Sequence, residues 1–180
     1  MVEYLSEHFT LDEMICSDTA KAKKINNSPT EIHKKVLKHT CQYLLEPLRA
    51  LLNEKYKIYN GKKVKKVTIK VTSGYRSAAL NVAIPGSSST SQHCKGEAAD
   101  IEVSVVYMNN VKAVIPYNII YEDIKSWVKS GRLSVDQCIQ ERSGSSKWVH
   151  ISHNNAGKTK DRRQFFKYLN GKYTLDCDLP

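Results

Sequence analysis

The decapeptide Ser91-Gln-His-Cys-Lys-Gly-Glu-Ala-Ala-Asp100 carries an imidazole and a carboxylate on either side of a glycine turn. His93 and Asp100, facing each other across the bend at Gly96, are two parts of a metal site. A third ligand is expected on a neighbouring strand, and Trp148-Val-His-Ile-Ser152 offers His150. Three protein ligands leave one tetrahedral position open to water, which is the mark of a catalytic rather than a structural zinc. Taken singly, each histidine reads equally as an ordinary buried side chain. Cys94 adjoins His93, but neighbours in an extended segment point to opposite sides, so it is not expected to share the ion.

Several elements must position these residues. Val64 to Thr72 alternates Val67, Ile69 and Val71 with Lys66, Thr68 and Lys70, the pattern of a half-buried strand. It delivers Ser73-Gly-Tyr-Arg-Ser77 at its end, followed by a short helix over 78–83 and a flexible loop, Pro85-Gly-Ser-Ser-Ser-Thr90. Glu97 to Val106 reads as a second strand. Val135 to Glu141 and Lys147 to Ser152 read as a hairpin whose second strand runs beside Asp100. Upstream, Thr10-Leu-Asp-Glu13 has the form of a capping box. Thr30 is placed as the N-cap of a helix over 31–52, with Ile32, Val36, Leu37, Leu44, Leu48 and Leu51 on one stripe and a kink from Pro47 near Leu45-Glu46. His33 and His39 fall on different faces of that helix. A second amphipathic helix is expected over 118–129, closed by Gly131. The tail from His153 is basic and polar, with a short helix around 162–169.

The chain has 180 residues, enough for one domain with a real core, and a net charge of +10. No apolar run approaches the ~20 residues of a membrane helix, and the first residues lack the basic and apolar regions of a secretory signal. Five scattered cysteines, with no Cys-x-x-Cys pair, read as reduced thiols. The positive charge favours an anionic partner such as a cell wall. No nucleic-acid motif accompanies it.

Ser91-x-His93-x-x-Gly96-x-Ala98-x-Asp100 resembles the zinc signature of the D-Ala-D-Ala carboxypeptidase and endolysin peptidases, the M15 or hedgehog/DD-peptidase group. The short, phage-type branch is also resembled by Phe9 to Glu13, Ser17 to Ala20, Asn26-Asn-Ser-Pro29, Leu45 to Arg49, Thr72 to Ser77 with Leu80-Asn81, Asp136-Gln137 and Trp148-Val-His150. These run in the family's order. The resemblance implies an α+β fold, an antiparallel sheet with helices on one face. It divides the chain into an N-terminal helical segment 1–57, a catalytic core 58–153 and a basic tail 154–180. It implies one zinc held by His93, Asp100 and His150, and a monomer that hydrolyses peptidoglycan stem peptides, as a D-Ala-D-Ala carboxypeptidase or an L-Ala-D-Glu-type endopeptidase. The protein would be made in the cytoplasm without a signal peptide and act on the bacterial wall. Arg76 would bind and orient substrate near the metal, Ser91 would meet its terminal carboxylate, and Tyr75 and Gln92 would line the cleft. Many members place an acid three positions before the last histidine, where this chain has Lys147. The short branch instead carries a glutamate at the end of the preceding strand, which Glu141 matches as the general base. Whether Glu141 shares a face with His150 depends on register. The alternative is a module that retains zinc and binds without catalysis.

Overall fold

The computed structural model describes residues 2–154, 160–169 and 171–179. Its centre is a sheet of eight strands, β1 (Ile58–Tyr59), β2 (Lys62–Ser73), β3 (Ala98–Tyr107), β4 (Lys112–Val114), β5 (Gln137–Ser143), β6 (Ser146–Ser152), β7 (Gln164–Leu169) and β8 (Lys172–Asp178). The order is β1-β2-β3-β6-β5-β7-β8, with β4 paired to the far half of β3. Pairings are antiparallel except that between β5 and β7. The α+β class and the strands expected over 64–72, 97–106 and the late hairpin are present. The hairpin is tighter than expected, because β5 and β6 pair out to Ser143 and Ser146.

One face of the sheet is apolar. Val67, Ile101, Val103, Val105, Val149, Ile151, Cys138 and Phe165 are all buried. Helix α6 (Tyr117–Lys129) covers β3, β5 and β6, and its Tyr121 ring meets Phe165 edge-on at 5.7 Å. Each such fully buried side chain contributes roughly 1.5–3 kcal/mol. Gly131 has φ +73°, the left-handed turn expected after α6.

The long N-terminal helix is built in three parts. Helix α3 (Glu31–Thr40) is capped by Thr30, a π turn spans Cys41–Leu45, and α4 (Glu46–Lys55) follows. The wide turn comes just before Pro47, which has no N–H to donate and so interrupts the regular hydrogen-bond ladder of a continuous helix at that point. Leu44, Leu48 and Leu52 are fully buried, and α4 packs on β2. The capping box of Thr10 and Glu13 starts α1 (Leu11–Ile15) as read from the sequence. Helices α2 (Asp18–Lys23) and α5 (Ala78–Ala83) complete the set.

The tail is where the sequence reading needs correction. Residues 164–169 form β7, a strand and not a helix, and with β8 they extend the sheet. The open edge of β5 decides this. Phe165 is fully buried between half-buried Gln164 and Phe166, and a parallel strand beside β5 satisfies the backbone. Residues 155–159 of the expected tail lie outside those described. Among the described residues, no helix is long and apolar enough to cross a membrane.

Candidate metal centre and cleft

The open face of the sheet carries the site. A β-bulge between Val71 and Ser73 sets Ser73 opposite Asp100, Asp100 pairs with His150, and His150 pairs with Ile139. These residues form one row across the strands. The next row holds Trp148, Glu141, Tyr168 and Tyr173, matched pairwise on β6, β5, β7 and β8. The register therefore puts Glu141 on the same face as His150. Lys147 is on the other face, with its ammonium 5.8 Å from the centre of the Tyr117 ring on α6.

His93 comes from a 3-10 turn over Gln92–Lys95, not from a strand. The turn ends at Gly96, φ +79°, which sits against α3. A Cβ there would lie 3.1 Å from Leu37 Cγ and 3.3 Å from the His33 carbonyl, so the conformation favours glycine and the space is tight. Thr40 donates to the Gly96 carbonyl at 2.8 Å and fixes the turn to the helix. On its other side, His93 is held by the Ser73-to-Ser77 turn. Its Nδ1 donates to the Gly74 carbonyl at 2.6 Å, and the Arg76 N–H donates to the His93 carbonyl at 3.2 Å. That tautomer leaves Nε2 with a free lone pair facing the cluster.

His93 Nε2, Asp100 Oδ1 and His150 Nδ1 make a nearly regular triangle with sides of 3.3, 2.9 and 3.1 Å. Tetrahedral ligands at zinc bond lengths stand about 3.3 Å apart. The three groups are buried, and they fit a small divalent ion in donor type and spacing. Burial pushes the His93 imidazole down, toward its neutral, ligating form. Burial alone would push Asp100 up. The two imidazoles outweigh it and hold the carboxyl well below the usual carboxylate range. Arg76 donates from Nη2 to Asp100 Oδ2 at 2.7 Å and from Nε to Ser73 Oγ at 2.9 Å. The guanidinium thus grips the oxygen that Asp100 does not present to the cluster. Glu141 is 8 % exposed. Burial pushes its carboxyl up to about 7, with Asp100 adding to the shift and His150, Arg76 and the Trp148 indole opposing it.

Of the other residues picked from the sequence, Ser91 and Gln92 line the cleft, as do Arg76 and Glu141. Tyr75 does not. It is buried, its hydroxyl lies 3.3 Å from His33 Nδ1, and its carbonyl accepts from Asn27. The backbone of the turn sends Arg76 to the cleft and its neighbour the opposite way. His39 stacks on His153 at 5.2 Å, away from the cluster. All five cysteines are free thiols.

The chain belongs to the peptidase M15 family. A family model described as Peptidase M15 matches residues 7–120, more than half of the sequence. No curated protein and no solved structure matches it. The matched stretch of this M15 peptidase includes His93, Asp100 and Arg76, and ends before Glu141 and His150. Several matched motifs prove to be braces. Asn27, in the turn before α3, donates to the Ile15 and Tyr75 carbonyls and accepts from the Ser77 N–H. The Met14 carbonyl, at the end of α1, accepts from the Tyr75 N–H at 2.6 Å.

Three features of this peptidase were not anticipated. The first is the Gly74 carbonyl as the partner of His93. The second is fully buried Asp136, which accepts from Gln92, Asn154 and Arg162 and ties the start of β7 to the turn carrying His93. The third is the aromatic wall of Phe166, Tyr168 and Tyr173 along a cleft of about 830 Å³. Asp136 stood in a recognised motif. The wall had no signal beyond the alternation of 164–169.

Proposed function

We propose that this M15 peptidase is a zinc-dependent hydrolase of peptidoglycan stem peptides, acting on the bacterial wall. The observation that carries the reading is the buried triangle of His93, Asp100 and His150, with Glu141 on the same face of the cleft. An ion held by the three ligands supplies Lewis-acid polarisation of the scissile carbonyl and acidifies water. Glu141 takes a proton from the attacking water and returns it to the leaving amine. A carboxyl pushed up to about 7 is matched to that double task at neutral pH. Arg76 fixes Asp100 as a ligand and lines the cleft, where its fork can orient a substrate carbonyl or carboxylate. Ser91 is within the same cleft for the substrate's own polar groups.

The size of the cleft favours an internal cut, of the L-Ala-D-Glu type, over trimming of a terminal D-alanine. A volume of about 830 Å³ is near the upper range of ligand pockets and accommodates several residues. A non-catalytic, zinc-retaining module is the competing reading. Lys147, the cation standing where many members carry an acid, is turned to the other face, and a carboxyl poised for proton transfer lines the same cleft as the cluster. The test is zinc content followed by incubation with purified muropeptides, mass spectrometry of the products and a chelator control. One zinc per chain and a chelator-sensitive internal cut are expected. Full zinc occupancy with intact muropeptides would replace the enzyme by the binding module.

A further inference from the structure

The cleft has two chemically different ends, set by the direction of β7. At the start of that strand stand cationic and amide groups. Arg162 and Asn154 are fastened to Asp136, and Gln137 and Gln92 lie beside them. At its other end, next to Glu141, the wall is aromatic. Tyr168 pairs with Glu141 on one side and with Tyr173 on the other. The two tyrosine rings lie 4.5 Å apart at 42°. Tyr173 is 53 % exposed although it lines the cleft. Trp148, opposite Glu141, completes the row.

We infer that Tyr168 and Tyr173 form a sugar subsite, which holds a pyranose ring of the amino-sugar backbone while the attached peptide crosses the metal centre. This rests on the reading of the protein as a peptidoglycan peptidase and names the part of the substrate that the hairpin takes. Aromatic faces edged with hydroxyls suit a ring that offers C–H groups on its face and polar groups at its rim. A peptide carboxylate is disfavoured at the tyrosine end, where Glu141 stands. The separation is also suitable. Strands are about 4.8 Å apart, so β7 and β8 stand roughly 10–15 Å from His150, the reach of three or four extended residues. The tyrosine hydroxyl feels the site already. Partial burial, with the charge of Glu141 next, pushes Tyr173 up to about 12. The hairpin lies beyond residues 7–120, the part of the chain that matches the family model.

The experiment compares kcat/KM of the zinc-loaded protein on one stem peptide with and without its amino sugar, the free end acetylated to equalise charge. The expected ratio is about ten-fold in favour of the sugar-bearing substrate, mostly through KM, as one stacked ring supplies. Tyr168→Ala and Tyr173→Ala should bring the ratio to about one, and Tyr173→Phe, which keeps the ring, should retain most of it. Equal cleavage of both substrates by the wild type overturns the subsite and leaves the peptidase reading intact. Cleavage of neither overturns the peptidase reading and the subsite with it. If the alanine variants do not fold, saturation-transfer NMR on the wild type with the sugar-bearing product decides. Transfer from protein aromatic protons to the sugar supports the subsite, and transfer to the peptide alone refutes it.

Discussion

Gly74→Ala tests the idea that the Ser73-to-Ser77 turn is the support of the metal centre. A Cβ at residue 74 would lie 2.3 Å from the Met14 carbonyl oxygen and 3.0 Å from the carbon. These are backbone atoms at the end of α1, with no rotamer to change. The two segments must separate by roughly 1 Å to reach ordinary contact. Overpacking of this kind costs about 1–3 kcal/mol. The Tyr75 N–H bond to Met14, at 2.6 Å, is stretched at the same time, for about 1 kcal/mol more. A total near 3 kcal/mol lowers Tm by roughly 6–12 °C in a domain of this size. The same displacement moves the Gly74 carbonyl, which orients His93 at 2.6 Å. Loss of such a partner weakens metal binding by about 10–100-fold. Thermal unfolding of the metal-free protein reads the first effect, and zinc titration against a competing chelator reads the second. A Gly74→Ala protein with unchanged Tm and unchanged zinc affinity would refute the assigned support role.

Other outcomes follow from the same site. Glu141→Gln should keep its metal and lose about 10²–10⁴-fold in turnover, measured on muropeptides with zinc content determined in parallel. The metal-free pair gives a second reading of Glu141. The native carboxyl keeps its proton to about pH 7 and the unfolded one releases it near 4.5, so wild-type stability falls as pH rises between those values. Glu141→Gln should be flatter, with a gap that grows to about 3 kcal/mol at pH 8 in urea titrations; parallel curves would remove the buried-acid argument. Arg76→Lys keeps a charge but loses the fork joining Asp100 and Ser73, and zinc affinity should drop about 10–100-fold by chelator competition. Asp136→Asn should cost about 2 kcal/mol at neutral pH and reduce amide protection in β7. Although burial pushes Asp136 up, the Arg162 hydrogen bonds outweigh it and hold the carboxyl low. The loss should therefore shrink as pH falls through the carboxylate range.

The sequence by itself pointed to the candidate cluster and to most of the elements. His93, Asp100 and His150 were legible because residue type, glycine spacing and strand alternation are local properties, and because the motifs stand in a family's order. The capping box, the Thr30 cap and the strand leading to Arg76 were legible for the same reason. Three things were decided only by the tertiary structure. Register put Glu141, and not Lys147, on the face of the cleft, since a slip of one residue exchanges the two faces, and no local pattern fixes which strands pair or where. Close approach settled Gly74, whose need for glycine comes from Met14, sixty residues away in the chain. The third is the tail, where a basic, polar stretch became β7 and β8. Its alternation is weak, and it forms strands because β5 offers an open edge and the core accepts Phe165. That edge gives the cleft its aromatic wall, which depends on the pairing of residues far apart in sequence and so could not be read from the tail alone.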